Sequence, residues 1–206
     1  MAEHQFDTLE SETLYVGKIF ALRADEVRMP GGHTARREVV EHYGAVAVVA
    51  LDDQDNIALV YQYRHPLGRR LWELPAGLLD LGGEPPVDTA ARELKEEAGL
   101  AAASWAVLVD VDSTPGFSDE SVRIFLATGL TEVDRPEVRD EEADLTLAWV
   151  PLTTAVARVF AGEIVNSLAV AGILAAHALP DRSALRPADA PWPDRPRAFA
   201  ARQGHP

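Results

Sequence analysis

An α+β fold built around a mixed sheet and preceded by an amino-terminal β-meander is what this chain predicts, and three observations carry the prediction. Residues 44–51 (GAVAVVAL) form an unbroken apolar run of the kind found in strands covered on both faces. Residues 86–98 (PVDTAARELKEEA) read as one amphipathic helix, opened by Pro85-Pro86 and stopped by Gly99. Further helix starts, at Pro151 and Asn166, come late in the chain, so strand-like segments precede most of the helix, as in a layered domain. With 206 residues and 47% hydrophobic content, the chain fits one globular domain with additions and is long enough for a sizeable core.

Residues 13–27 mix β-branched and polar side chains, and Met29-Pro30-Gly31-Gly32 is a turn signal before the strand-like residues 37–42; together they make the meander. Residues 44–51 and 56–63 flank the turn-rich Asp52-Asp53-Gln54-Asp55 and read as a hairpin lying inside a sheet. Arg64, Arg69 and Arg70 bracket His65, Pro66 and Gly68, and residues 71–77 (LWELPAG) read as a short strand ending in a proline. Strands are expected at 105–111, 122–128 and 145–150, separated by the loop 113–120 (STPGFSDE) and the acid-rich loop 137–144. One helix runs from Pro151 to near Gly162 and a second from Asn166 to near Leu179. From Pro180 the chain loses periodicity and reads as an extended tail, with Trp192 and Phe199 available to pack on the body or on a partner.

The helix at 86–98 is the stretch that carries chemistry. At 100° per residue, Val87, Ala90, Ala91, Leu94 and Ala98 fall in a narrow stripe that faces a core. Glu93 and Glu97 lie roughly 40° apart at the edge of that stripe, whereas Glu96 points further toward solvent. Acids at i and i+4 repel by about a few tenths of a kcal/mol on an exposed helix, so they need either a long solvated face or a cation. The solvated reading pairs Asp88 with Arg92 and Arg92 with Glu96. The other reading places a hard divalent ion, Mg²⁺ or Mn²⁺, on carboxylate oxygens.

Residues 92–100 (RELKEEAGL), with Glu84 seven residues before Arg92, match the Nudix box, G-x5-E-x7-R-E-U-x-E-E-x-G-U with U aliphatic. One feature departs from it: six residues, not five, separate Gly77 from Glu84, and the extra residue falls in a glycine-containing loop. Pro115, fifteen residues beyond Leu100, together with residues 73–77 (ELPAG), 114–116 (TPG) and 162–166 (GEIVN), resembles the ADP-ribose pyrophosphatase branch of that family. The resemblance implies a Nudix-type α/β/α sandwich over 43–180, with 1–42 as a dimerising meander and 181–206 as a Pro/Ala-rich tail.

It implies further that Glu93, Glu97 and the carbonyl of Ala76 bind metal, with Glu96 the second choice of ligand. Arg92 orients the acids through Glu84 or Asp88. Glu142, or else Glu141, is the general base that takes a proton from the attacking water, with Glu93 beside it in the catalytic set. Arg37 and Arg64 hold the diphosphate or ribose, and Ser118 and Glu120 hydrogen-bond the terminal ribose. Tyr15 and Phe20 are available to stack on adenine, although core packing is the commoner fate of an aromatic ring.

The activity implied is Mg²⁺-dependent hydrolysis of ADP-ribose to AMP and ribose 5-phosphate. The alternatives are hydrolysis of other nucleoside diphosphate sugars, such as a GDP-sugar, and a regulator that binds a nucleotide sugar without cutting it. A formal charge of −14 argues against nucleic-acid or anionic-membrane partners, and it requires that any bound polyphosphate be met by metal ions and placed arginines. The chain has no cysteine, its first ten residues (MAEHQFDTLE) do not read as a signal peptide, and no run approaches the length of a membrane span, so a cytoplasmic protein is expected; that it is a homodimer is what the family resemblance implies for the amino-terminal meander and the tail.

Overall fold

Of the chain, residues 5–135, 144–179 and 181–204 are described by a computed structural model. β1 (Thr8–Val16), β2 (Phe20–Arg28) and β3 (Thr34–His42) make an antiparallel sheet of their own in that order. β1 begins earlier than its hydropathy suggests. Its polar residues Glu10, Ser11 and Glu12 still pair in register with Glu26, Asp25 and Ala24, so the backbone ladder sets its start.

β4 (Ala45–Ala50) is buried at every residue and lies inside a five-stranded sheet ordered β11-β8-β9-β4-β7. The other members are β7 (Ala76–Leu78), β8 (Leu100–Asp112), β9 (Ser121–Glu132) and the short β11 (Arg186–Pro187). β4 and β9 run parallel and the remaining pairs antiparallel, which makes the sheet mixed. β5 (Asn56–Arg64), β6 (Arg69–Glu73) and β10 (Thr146–Pro151) form a separate antiparallel sheet ordered β10-β5-β6.

Two strand expectations are corrected here. Residues 44–51 and 56–63 do not pair as a hairpin inside one sheet: a single bridge joins Leu51 to Ile57, and the strands then diverge into different sheets. Each has other partners along its length, β9 and β7 for β4, β10 and β6 for β5. The expected strand at 71–77 is likewise split. Leu74 and Pro75 separate β6 from β7, and Pro75 contributes its carbonyl to Val48 N–H at 2.8 Å.

Helices cover the sheets on two sides. α1 (Pro86–Ala98) packs through Ala90, Leu94 and Ala98 on Val46, Val48 and Ala50 of β4, together with Phe125 of β9. α2 (Leu152–Phe160) and α3 (Ser167–Ala178) pack through Ala155, Ala169 and Ile173 on the alternate residues Ala47 and Val49 and on Ile57 and Leu59. Asn166 caps α3 as expected, its side-chain oxygen accepting from Ala169 N–H at 3.0 Å. The result is the α/β/α layering that the sequence predicts. Among the described residues no helix is long and apolar enough to cross a membrane.

The tail turns back onto the body. Arg123, which is 2% exposed, holds it by donating to the carbonyls of Ala190 and Pro191 at 2.6 and 3.1 Å, and its guanidinium lies 4.7 Å from the Trp192 ring centroid. Phe199, in the short helix α4 (Ala198–Arg202), is fully buried against Tyr43 with ring centroids 4.6 Å apart. Arg202 reaches the buried carboxylate of Glu41, which also receives Arg23 at 2.5 Å. Burial would push the Glu41 carboxyl up; the hydrogen bonds from Arg202 and Arg23 outweigh it and hold it below its ordinary value.

Phe199→Ala should therefore destabilise the protein by about 3–5 kcal/mol, the cost of emptying a closed aromatic site. Urea unfolding followed by circular dichroism checks this, and a change under about 1 kcal/mol would mean that the tail is only loosely docked.

Candidate active site

α1 spans the predicted residues. Pro85 sits at its start in an extended conformation, and Gly99 closes it at φ 65, a left-handed angle that glycine adopts without strain. Seating Ala90, Leu94 and Ala98 in the core turns the next positions around the helix toward β7. Glu93 and Glu97 are accordingly buried, at 9% and 6% exposure.

β7 is the open edge of the five-stranded sheet. Its ladder bonds to β4 run through Pro75 and Leu79, so the alternation of an antiparallel pair turns the backbone groups of Ala76 outward, toward α1. Ala76 N–H donates to Glu97 Oε2 at 2.9 Å. At the next residue, a Cβ on Gly77 would lie 2.1 Å from Glu93 Cδ, so a glycine is required for the carboxylate to reach the strand. Two buried carboxylates thus meet two adjacent residues of one strand edge.

Arg92 ties the remaining acids together. It donates to Glu93 Oε1 at 2.7 Å, to Glu96 Oε2 at 3.2 Å, and to both oxygens of Glu84 at 3.3 and 3.2 Å. The expected partner is therefore Glu84 and not Asp88. The Arg92 hydrogen bond holds the Glu84 carboxyl below its ordinary value; burial opposes this, and Thr89, donating at 2.7 Å, assists it. Burial alone would lower the Arg92 guanidinium, but Glu84 and Glu93 raise it well above its ordinary value.

These donors suit a hard divalent cation. They are carboxylate oxygens, with a backbone carbonyl turned to the same edge, around a strand surface that any side chain at Gly77 would fill. Among the described residues no three His, Cys, Asp or Glu side chains already stand together at metal-binding distances. Arg92 and the Ala76 N–H occupy oxygens of Glu93 and Glu97 instead.

The other predicted residues are placed as follows. Ser118 and Glu120 lie on the loop 113–120, which is stitched to the end of β3. Val40 N–H donates to the Phe117 carbonyl at 2.7 Å and Asp119 N–H to the Val40 carbonyl at 3.1 Å. Ser118 Oγ accepts from Glu120 N–H at 3.1 Å, and Glu120 faces His42 Nδ1 at 3.3 Å and the Ser113 hydroxyl. Arg37 is exposed on the same strand, three residues before Val40. Arg64 grips the buried Glu73 at 2.9 and 2.7 Å, and so stands beside the chain leading into β7.

Glu141 and Glu142 lie outside the described residues. Asp144, just after them, contacts Arg70 of β6. Tyr15 and Phe20 do not enter the core: both are exposed and pack on each other, with centroids 5.7 Å apart, because β1 is exposed along its length among the described residues.

Sequence reasoning missed two features. Asp119 accepts from His42 N–H at 2.8 Å and locks the loop to β3; burial pushes its carboxyl up. Arg195 and Arg197, in the tail, border a cavity with Glu84. The Arg-Pro-Arg run within a Pro-rich stretch was their only mark in the sequence.

The chain is similar to proteins of known family. The NUDIX domain pattern matches residues 40–168, and a nucleoside diphosphate sugar hydrolase N-terminal domain matches residues 6–40. The chain is 66% identical over 204 residues to an ADP-ribose pyrophosphatase of Mycobacterium tuberculosis, covering 98% of this chain and 99% of that one. It is 38% identical over 160 residues to an ADP-ribose pyrophosphatase of Bacillus subtilis, covering 78% and 86%. A methanol dehydrogenase activator of Bacillus methanolicus is 36% identical over 166 residues, covering 81% and 89%. A crystal structure of an ADP compounds hydrolase shares the fold, with TM-score 0.73 and 19% identity over 86% of this chain and 95% of that one.

The lowered Glu84 carboxyl makes a pH prediction. A group whose folded pKa is depressed adds stability that is complete above its unfolded value of 4.5 and is lost as pH falls through the folded value. Wild type should therefore melt above Glu84→Gln at pH 7, with the gap closing below about pH 4. A gap of constant size from pH 7 to pH 3 would contradict the Arg92 assignment.

Proposed function

That the chain belongs to the NUDIX family is the premise from which we infer its activity: it hydrolyses the pyrophosphate bond of ADP-ribose, releasing AMP and ribose 5-phosphate. The observation that carries this reading is the convergence of the buried Glu93 and Glu97 on the open edge of β7 at Gly77 and Ala76. Whole-length similarity to an ADP-ribose pyrophosphatase supports the choice of substrate.

Glu93, Glu97 and the Ala76 carbonyl would hold Mg²⁺, with Glu96 as a further ligand and Mn²⁺ as the other hard ion that suits these oxygens. A cation held by these residues would supply charge neutralisation at the diphosphate and a lowered pKa for the attacking water. Arg92 keeps the acids in place through Glu84, as groups behind metal ligands do. Glu142, with Glu141 as its alternate, takes the proton as the water oxygen attacks phosphorus and the bridging P–O bond breaks. Arg37 and Arg64 meet the diphosphate with their planar forks, and Ser118 and Glu120 hydrogen-bond the ribose. A wider range of nucleoside diphosphate sugars is the second reading, favoured by the match at residues 6–40.

Incubation with Mg²⁺ and ADP-ribose should yield AMP on chromatography, faster than a GDP-sugar is cut, and EDTA should stop it. Glu97→Gln should lose turnover by roughly a hundredfold or more, since a supporting residue alone is worth tenfold to a hundredfold. Its melting temperature should stay close to wild type, because the amide oxygen still accepts from Ala76. An active Glu97→Gln enzyme would place the metal elsewhere.

The same reading makes the protein a cytoplasmic homodimer. Phe6, Leu9, Leu14, Tyr15, Val16 and Ile19, on and beside β1, are large apolar side chains left exposed, the kind of surface a second copy would cover. Sedimentation should give about twice the chain mass of 22.3 kDa, and a monomer at micromolar concentration would contradict it.

A further inference from the structure

We propose that the cavity between the C-terminal tail and the loop leading into α1 is an anion site, binding inorganic phosphate or the phosphate of a small monoester through Arg195 and Arg197. The cavity holds about 380 Å³ and is bordered by Tyr43, Glu84, Pro85, Arg195 and Arg197, among others. Its lining includes Glu84 but neither Glu93 nor Glu97.

The charge pattern carries the inference. In a chain of net charge −14, arginines readily find carboxylates: Arg23, Arg92, Arg158 and Arg202 each do so. Among the described residues no carboxylate lies within ion-pair distance of Arg195 or Arg197, although Arg195 is half-buried. Glu84 does not serve them, since its oxygens are taken by Arg92 and Thr89. A cation withdrawn from water beside a second cation is unfavourable unless an anion joins it. Burial first, and repulsion from Arg197 second, push the Arg195 guanidinium below its ordinary value.

The walls are fixed. Pro196, between the two arginines, is buried against Gly44, where even a methyl group would come within 3.1 Å of the proline ring. Phe199 anchors the segment from the other side. Two guanidinium forks on this anchored turn, Arg195 half-buried and Arg197 exposed, are suited to phosphate oxygens, and the volume leaves room for a sugar attached to the phosphate.

The test is calorimetric titration of the full chain with inorganic phosphate and, separately, ribose 5-phosphate, in EDTA so that neither metal nor turnover contributes. Wild type should bind. Arg195→Gln/Arg197→Gln should weaken binding roughly tenfold or more, and Arg195→Lys/Arg197→Lys should fall between the two. Glu97→Gln should bind as wild type does, which separates this pocket from the hydrolytic site. Equal affinity for the two ligands assigns the pocket to phosphate alone, and tighter ribose 5-phosphate adds a sugar contact. No binding by wild type, or equal binding by the folded Gln pair as verified by thermal unfolding, would overturn the proposal while leaving ADP-ribose hydrolysis untouched.

Discussion

Burying carboxylates beside one another is the constraint on which this structure turns, and Arg92 is the side chain that makes it possible. Several kcal/mol per ion would oppose placing Glu93 and Glu97 out of water without compensation. Arg92 meets Glu93, Glu96 and Glu84 at once, while the Ala76 N–H meets Glu97. The same contacts fix the orientation of the acids. A divalent cation at that edge would take over part of the work.

The rest of the fold presents that edge. β4 has to be apolar on both faces because α1 lies on one side and α3 on the other, and that burial leaves β7 as the short outer strand against which α1 can set its acids. Splitting residues 71–78 between two sheets at Leu74-Pro75 brings Glu73, and with it Arg64, next to Ala76. The loop 113–120 is pinned to β3 by Val40 and by Asp119, so Ser118 and Glu120 are carried on a fixed rim. The tail closes the other side through Arg123, Trp192 and Phe199, which is how a Pro-rich segment becomes part of the body.

Punctuated local features were legible in the sequence. Pro85-Pro86 and Gly99 delimited α1, Asn166 capped α3, and the wheel placed Glu93 and Glu97 on the seam, because each depends on residues within a turn or two. Sheet partition was not. The run 44–51 is apolar throughout and 56–63 largely so, and such runs do not encode which strand lies beside them, so a divergent pair reads as a hairpin. Nor could local pattern show that β1 is exposed along its length, which leaves Tyr15 and Phe20 outside the core. Arg64 with Glu73 and Arg195 beside Glu84 arise from tertiary docking, so composition could name the residues and not their neighbours.

The most direct measurement of the central claim is anomalous diffraction from crystals soaked in Mn²⁺. The account predicts a peak within coordination distance of the Glu93 and Glu97 carboxylates at the Ala76 edge, with Arg92 still bound to Glu84. A peak only elsewhere, or none at saturating Mn²⁺, would contradict it.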